Sequence, residues 1–229
     1  MRGAVFDLDG TVADTAADLL AAANIAFAPH GLPTLTMPRD RAHAMKGGKS
    51  MLRRALSLAG RNDVAELPDL HEHALFRTAY PALLTAYAGA LAVHTRPFAG
   101  LEACLDRLEG AGWRLGICTN KPEGLAVSLL ERLGLAPRFA AILGADTLAV
   151  NKPDPEHFIE TCRRIGADPA RSVMLGDTLT DRETARRAGA PCVLMVHGLA
   201  RAPLEALEPE AIADDFSEVP GLLERLMPA

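Results

Sequence analysis

Residues 1–14 read MRGAVFDLDGTVAD. The apolar run from Ala4 to Phe6 stops at two acids, a glycine and a threonine, which predicts a buried strand that opens into a polar loop. Open α/β sheets bind their ligands at such strand ends. Asp7 and Asp9 crowd one small site there, and their like charges repel unless a cation lies between them. The stretch therefore indicates a hard divalent metal ion bound by oxygen atoms, with Mg²⁺ as the leading candidate.

A calcium-binding loop and an ordinary turn are the other interpretations of Asp-x-Asp-Gly. A calcium loop between two helices needs a glutamate at its twelfth position, whereas counting from Asp7 gives Asp18. An ordinary turn needs no buried strand in front of it. We therefore favour a catalytic site at this strand end.

The composition is that of a globular protein with a substantial core. Of the 229 residues, 49% are hydrophobic and 23% are charged, and no stretch approaches the roughly 20 consecutive apolar residues of a membrane-spanning helix. The net charge of −5 and an aromatic content of 4% provide neither a basic stripe nor a stacking platform for nucleic acid. The N-terminal strand leaves no room for a signal segment. We expect a cytoplasmic monomer or homodimer that binds neither nucleic acid nor membrane.

The four cysteines lie far apart in the sequence, at Cys104, Cys118, Cys162 and Cys192. They contain no Cys-x-x-Cys pair, so their spacing fits neither a zinc site nor a dense disulfide framework. We expect reduced and mostly buried thiols. Core packing is also the expected role of Cys118, although it precedes the polar residue Thr119.

Residues 32–88 contain no convincing strand and read as a series of helices, which follows a first helix ending near Ala28. Helix starts are expected near Pro38, Ser50 and Asp63, with breaks at residues 47–48, at residues 60–62 and at Pro81. This segment is predicted to be a helical insert.

From Pro97 onward, short apolar runs alternate with amphipathic helices, which is the pattern of a parallel sheet with crossover connections. The expected strands are residues 113–118, 139–143, 172–175 and 192–196, and the expected helices are residues 100–110, 123–133, 155–165 and 179–188. A weak further strand is expected near Ala211, and a closing helix ends at Met227. The first strand is thus separated from its sheet neighbours by the whole helical insert.

A second group of polar residues follows the predicted strand at residues 113–118. Thr119 and Asn120, ahead of Lys121 and Pro122, bring a hydroxyl and free backbone amides to the start of a helix. Proteins hold phosphate oxygens in this way. Simple capping of the helix by Thr119 is the alternative.

A lysine between prolines forms a third candidate. Lys152 lies in NKPDP, residues 151–155, where the prolines disfavour helix. An ammonium group fixed in this way can neutralise a phosphoryl group during transfer. The alternative is a plain loop lysine ahead of a helix.

A fourth candidate follows the predicted strand at residues 172–175, which ends in GDTLTD, residues 176–181. Asp177 and Asp181 bring two more carboxylates to the same sheet edge if the strands are neighbours. Such a concentration of acids is hard to justify without a metal ion.

Together these four segments resemble the motifs of the haloacid dehalogenase-like superfamily, in order and at the expected strand ends. The matching segments are DLDGT (7–11), TN (119–120), KP (152–153) and GDTLTD (176–181). Within the superfamily the chain is most similar to the phosphoglycolate phosphatase group, through TNKP (119–122), KPDP (152–155) and ARRAG (185–189). The resemblance covers most of the chain.

The resemblance implies an α/β fold with a Rossmann-like three-layer core and a mainly parallel sheet. Residues 1–15 and 91–229 would form this catalytic core, and residues 16–90 an inserted α-helical cap domain. A cap inserted at this point can cover the site like a lid. The expected hinges are near Asp14 and residues 88–97.

The resemblance also implies a mechanism. Asp7 would attack phosphorus to give an aspartyl-phosphate, and Asp9 would protonate the leaving oxygen and then activate the attacking water. Thr119 and the Asn120 amide would hold the phosphoryl oxygens, while Lys152 offsets their charge.

The implied metal ion is Mg²⁺. Its ligands would be the Asp7 carboxylate, the backbone carbonyl of Asp9 and Asp177. Asp181 would lie behind them and orient Lys152 or a bound water.

The helical insert contributes two further candidates. Lys46 and Lys49 flank a glycine pair, and such a loop could reach an anionic substrate, although a plain turn between helices is the alternative. Four histidines in or beside the insert have no zinc spacing and are expected at surfaces or interfaces: His43, His71, His73 and His94.

Three functions are compared. The first is a Mg²⁺-dependent phosphatase of a small phosphorylated metabolite, with 2-phosphoglycolate as the leading substrate. The second is another enzyme of the superfamily: a β-phosphoglucomutase-like phosphoryl transferase, or a phosphatase of sugar phosphates or nucleotides. The third is a binding protein without turnover, which the complete set of motif residues argues against.

Overall fold

The computed structural model describes residues 1–197 and 200–228 and divides the chain into two compact units. The first unit, called the core here, contains Met1–Asp14 and Pro97–Ala229, and the second, the helical unit, contains Thr15–Arg96. Within the described ranges, none of the helices combines the length and the apolar character that crossing a membrane requires.

The described residues form eight strands and eleven α-helices. The strands are β1 (Gly3–Phe6), β2 (Ala13–Asp14), β3 (Arg96–Pro97), β4 (Arg114–Cys118), β5 (Ala141–Leu143), β6 (Ser172–Gly176), β7 (Cys192–Met195) and β8 (Ala211–Ala213). The helices are α1 (Ala16–Phe27), α2 (Arg41–Met45), α3 (Gly48–Leu58), α4 (Asn62–Ala65), α5 (Ala74–Gly89), α6 (Leu101–Gly110), α7 (Glu123–Arg132), α8 (Pro155–Arg164), α9 (Leu179–Ala188), α10 (Ala202–Glu205) and α11 (Val219–Leu226).

The core is built on a six-stranded sheet with the order β5-β4-β1-β6-β7-β8, and all of its strand pairs are parallel. β1 lies inside the sheet, where Phe6 is paired with Ile117 of β4 and with Leu175 of β6. The predicted α/β fold with a mainly parallel sheet is therefore confirmed. Strands β4 and β5 begin one and two residues later than expected, which is within the usual fraying of element ends.

Successive side chains of a strand point to opposite faces of the sheet. All four residues of β1 are buried, so both faces are covered, and helices pack on them. On one face, Val5 and Met174 pack with Phe158 and Cys162 of α8 and with Ala185 of α9. Helix α6 packs on β4 and on α11, and it contributes a separate set of buried leucines. This arrangement gives the three layers that were expected, with the ends of β1, β4 and β6 side by side.

The helical unit consists of α1 to α5, with α1 packed on α5, α2 and α3. Its first helix is tied to its last residues by Asp18, whose carboxylate accepts from the backbone N–H groups of His94 and Thr95 and from the Thr95 hydroxyl. The His94 side chain itself is exposed. This buried carboxylate therefore joins the two ends of the helical unit.

Two details of the helical unit differ from the expected breaks. The break predicted at Pro81 is wrong, because α5 continues through it from Ala74 to Gly89. Pro81 and Arg77 are exposed, so the Arg77 carbonyl that loses its backbone donor faces water rather than an apolar core. The break at residues 47–48 falls on Gly47, with φ of 81°, and Gly48 already begins α3.

His157 is a fully buried histidine on α8. Burial lowers the pKa of its imidazole to about 4, and the positive charge of Lys152 acts in the same direction. Unfolding returns the imidazole to water, where its pKa is about 6.5. The unfolded state therefore takes up this proton first when the solution is acidified.

We expect His157 to make the protein acid-sensitive. Its contribution to stability is complete above pH 6.5 and is lost as the pH falls towards 4, and it amounts to at most about 3 kcal/mol. Urea unfolding of wild type and His157→Gln at several pH values measures the difference in the free energy of unfolding. That difference should shrink between pH 6.5 and 4, whereas exposed His94→Gln serves as the control. Parallel curves for wild type and His157→Gln would contradict the prediction.

Candidate active site

Asp7 lies directly after β1, at the carboxyl end of an internal strand. Its backbone N–H donates to the Leu175 carbonyl of β6 at 2.8 Å, which extends the strand pairing to the acid itself. Its side chain accepts from the N–H of Leu8 at 2.7 Å, and the chain then turns through Gly10, whose φ of 85° favours glycine. Asp7 is only 9% exposed. The loop therefore holds a buried carboxylate at the edge of the sheet.

Lys152 brings a buried ammonium group to the same point. Its Nζ lies 3.0 Å from Asp7 Oδ1 and 2.6 Å from Asp181 Oδ1, and its side chain is 1% exposed. Burial opposes the charge of Lys152, but the carboxylates of Asp181 and Asp7 outweigh this effect and raise its pKa. Asn120 stabilises the lysine loop, since its side-chain amide donates to the Lys152 carbonyl at 2.8 Å. Lys152 is thus a permanently charged group beside Asp7.

Asp181 uses its carboxylate within the protein. Besides Lys152, it accepts from the backbone N–H groups of Asp177 and Thr178 and from the Thr178 hydroxyl. The close approach requires Gly176, because a Cβ atom there would lie 2.2 Å from the Asp181 Cβ. Asp181 is fully buried. Its oxygens position Lys152 and the loop after β6 instead of facing a ligand.

Asp7, Asp177 and Asp181 form a group in which one carboxylate oxygen of each residue lies within 4.8 Å of the others. Burial raises the pKa of Asp7 to about 6 and the pKa of Asp177 well above its usual range, and the neighbouring carboxylates add to both effects. The Lys152 ammonium does not balance three such acids. Asp181 Oδ2 already accepts three hydrogen bonds and its Oδ1 contacts Lys152, so Asp7 and Asp177 are the better candidates for binding a cation. An all-oxygen donor set with excess negative charge fits a hard divalent ion such as Mg²⁺.

Two contacts hold the loop that follows Asp9. The Thr11 hydroxyl donates to Asp177 Oδ1 at 2.9 Å, and His197 Nε2–H donates to the Thr11 carbonyl at 3.0 Å. The His197 ring also stacks on Phe98, with 3.7 Å between the ring centroids. His197 was missed in the sequence, since neither contact leaves a local pattern.

Lys121 is the second residue for which the sequence indicated no role. Its ammonium donates to both carboxylate oxygens of Asp9, at 2.9 Å each. The Asp9 side chain is therefore engaged by Lys121 and does not join the group of Asp7, Asp177 and Asp181. The part assigned to the backbone carbonyl of Asp9 stays a prediction. The signal that could have identified Lys121 is its place directly after the polar pair at the end of β4.

Thr119 and Asn120 follow β4. The Thr119 N–H donates to the Leu143 carbonyl, and its hydroxyl accepts from the N–H of Lys121 at 3.2 Å. The cap residue of α7 is Pro122, so the Thr119 hydroxyl stabilises the turn before the helix. Their binding of phosphoryl oxygens stays a prediction.

Cys118 precedes this turn and lies fully buried in the apolar cluster with Val5 and Phe158. Burial raises the pKa of the Cys118 thiol to about 12. The thiol is thus neutral at physiological pH and contributes packing rather than nucleophilic chemistry.

Lys46 and Lys49 belong to the helical unit. Lys46 directly follows α2 and Lys49 is the second residue of α3, with Gly47 between them at a φ of 81°. Their contact with substrate stays a prediction. Two of the histidines considered above make contacts within the helical unit: His73 caps α5 by accepting from the Leu75 N–H, and His43 Nδ1 contacts the Ser50 hydroxyl.

Comparisons with known proteins agree with this geometry. The family model described as haloacid dehalogenase-like hydrolase matches residues 1–189. The chain is 40% identical to a phosphoglycolate phosphatase of Agrobacterium fabrum over 98% of this chain and 93% of that protein. It is also 40% identical to a phosphoglycolate phosphatase of Mesorhizobium japonicum, over 98% and 96% of the two chains.

A solved structure gives the same result. The crystal structure of a predicted phosphoglycolate phosphatase from Haemophilus somnus has a TM-score of 0.80 to this chain, with 26% identity and 96% of each chain covered. Both the sequence relatives and the fold therefore lead to the same family. The chain belongs to the haloacid dehalogenase-like hydrolases.

Proposed function

We propose that the protein is a Mg²⁺-dependent phosphatase that hydrolyses 2-phosphoglycolate through an aspartyl-phosphate intermediate. The observation that carries the proposal is the buried Asp7 carboxylate, 3.0 Å from the Lys152 ammonium and beside Asp177 at the end of β1. A nucleophile, a fixed cation and a second carboxylate at one strand end suit phosphoryl transfer. The substrate is suggested by the curated relatives named phosphoglycolate phosphatase.

In this proposal, Asp7 attacks phosphorus and the bond to the leaving oxygen breaks. Asp9 enters the cycle as the carboxylic acid and gives its proton to the leaving oxygen; as the carboxylate it then takes a proton from the water that hydrolyses the aspartyl-phosphate. The Thr119 hydroxyl and the Asn120 amide hold the phosphoryl oxygens, and Lys152 offsets their charge. Glycolate and inorganic phosphate leave, and Asp7 and Asp9 return to their starting states.

Asp7, Asp177 and the backbone carbonyl of Asp9 would hold the Mg²⁺ ion, which when bound offsets the negative charge of the transferring group. Asp181 keeps Lys152 in position behind them. The division into a core of residues 1–15 and 91–229 and a cap domain of residues 16–90 is part of the same proposal. A cytoplasmic location and a monomeric or homodimeric state also stay predictions.

A phosphate-release screen over metabolite phosphates, with and without Mg²⁺, tests this function. The phosphatase should release stoichiometric phosphate from 2-phosphoglycolate. A β-phosphoglucomutase-like transferase would return the phosphoryl group to its product and release little. A preference for sugar phosphates or nucleotides would change the assigned substrate but not the proposed catalytic residues. If no ester released phosphate, the remaining hypothesis would be a binding protein without turnover.

Replacing the nucleophile should abolish turnover. Asp7→Asn removes the attacking oxygen, so phosphate release should fall by roughly 1,000-fold or more. It also removes a charge from the group of repelling carboxylates, so the melting temperature in metal-free buffer should rise. Exposed Asp106→Asn, at a side chain that is 70% exposed, is the matched control for both measurements. Near-wild-type phosphate release by Asp7→Asn would exclude the covalent mechanism.

Replacing Asp177 should have the same effect as removing the metal ion, whereas replacing Asp181 should not. A chelator should abolish activity, and Asp177→Ala should do the same even in excess Mg²⁺. Asp181→Ala should be milder, since Asp181 acts through Lys152. Isothermal titration with Mg²⁺ provides an independent readout, in which Asp177→Ala loses binding and Asp181→Ala retains most of it. Full activity in excess chelator would refute the requirement.

A further inference from the structure

Lys121 is a buried cation of the core with no part in the mechanism proposed so far. Its side chain is 3% exposed, against 17% for that of its partner Asp9. Its backbone is fixed on both sides, because its N–H donates to the Thr119 hydroxyl and its carbonyl accepts from the N–H of Ala145. Lys121 therefore presents its charge from a rigid position in the core.

The two buried ammonium groups contact different carboxylates. Lys152 lies 3.0 Å from Asp7, the carboxylate proposed to receive the phosphoryl group. Lys121 lies 2.9 Å from both oxygens of Asp9, the carboxylate proposed to meet the leaving oxygen. If Asp7 and Asp9 have these roles, Lys152 would lie on the phosphoryl side of the scissile bond and Lys121 on the side of the leaving alcohol.

Lys121 is within reach of a charged group on that alcohol. Asp9 would contact the leaving oxygen at hydrogen-bond length, and Lys121 is one hydrogen bond away from Asp9. In that arrangement the ammonium would lie within about 6 Å of the leaving oxygen. In 2-phosphoglycolate a single methylene carbon separates the leaving oxygen from the carboxylate, so the carboxylate can span this gap.

We propose that Lys121 determines specificity for an acid group on the leaving alcohol, its ammonium binding the substrate carboxylate beside Asp9. The inference rests on the proposed function and narrows the substrate class to phosphate esters of short 2-hydroxy acids. Charge-assisted hydrogen bonds are the strong ones, and a site built around such a bond rejects an analogue that lacks the partner. A neutral alcohol offers the Lys121 ammonium no such charged partner, and Lys121 keeps its contact with Asp9.

The test compares two substrates that differ only in this charge: 2-phosphoglycolate and its primary amide. Wild type should prefer the acid. Lys121→Met should lower kcat/KM for the acid by roughly 100-fold and for the amide by less than about 10-fold. Lys121→Arg, which keeps the charge, should restore most of the preference. The ratio of the two substrates within one preparation does not depend on the folded fraction, so partial unfolding does not imitate the result.

A second measurement uses wild type alone and covers the case in which Lys121→Met does not fold. Glycolate should inhibit competitively and its neutral amide should not, and equal inhibition by both would overturn the proposal. Equal losses of Lys121→Met on both substrates would also overturn it, as would loss of the acid preference in Lys49→Met instead. If wild type hydrolyses both esters equally well, the proposed phosphatase function stands but this role of Lys121 is wrong. Wild type that hydrolyses neither contradicts both.

Discussion

The repulsion among buried carboxylates at the carboxyl end of β1 is the constraint on which the rest of the structure depends. Asp7, Asp177 and Asp181 have oxygens within 4.8 Å of one another, and burial raises the pKa of Asp7 and Asp177. Lys152 offsets part of this charge, and its contact with Asp181 is among the shortest ion pairs of the core, at 2.6 Å. The remaining negative charge is both a cost to the fold and the reason that the site would attract a cation. Function and instability therefore have the same origin here.

The core tolerates this charge repulsion because the surrounding elements hold the charged side chains in place. Gly176 lets Asp181 lie against the strand end, and the Asn120 amide ties the loop after β4 to the lysine loop through the Lys152 carbonyl. These contacts involve backbone as well as side chains, so the charged groups cannot separate without moving the backbone around them. An arrangement of this kind is preorganised, which is what electrostatic catalysis requires.

The fold and the grouping of Asp7 with Asp177 followed from local patterns, and the parts that were missed depend on distant partners. Polar residues that interrupt an apolar run mark Asp7 and Asp177 in the sequence, and the parallel sheet brings their strands together. The place of Lys121 after the polar pair at the end of β4 did not reveal its partner, because Asp9 is 112 positions away. Pro81 was mistaken for a break because the sequence does not reveal that this side of α5 faces water. Strand order and side-chain pairing are properties of the packed chain.

The position of β1 within the sheet also bears on how the protein is made. Gly3 is paired with Arg114 on one side and with Ser172 on the other. Strand β1 therefore cannot complete its pairing until β4 and β6 have been synthesised. The helical unit has its own internal contacts and can fold earlier, in keeping with the tendency of domains to fold as units during synthesis. The surroundings of Asp7 are consequently completed only after β6 has been synthesised. A nascent or truncated chain that lacks β6 carries Asp7 without Asp177, and such a chain would be catalytically silent.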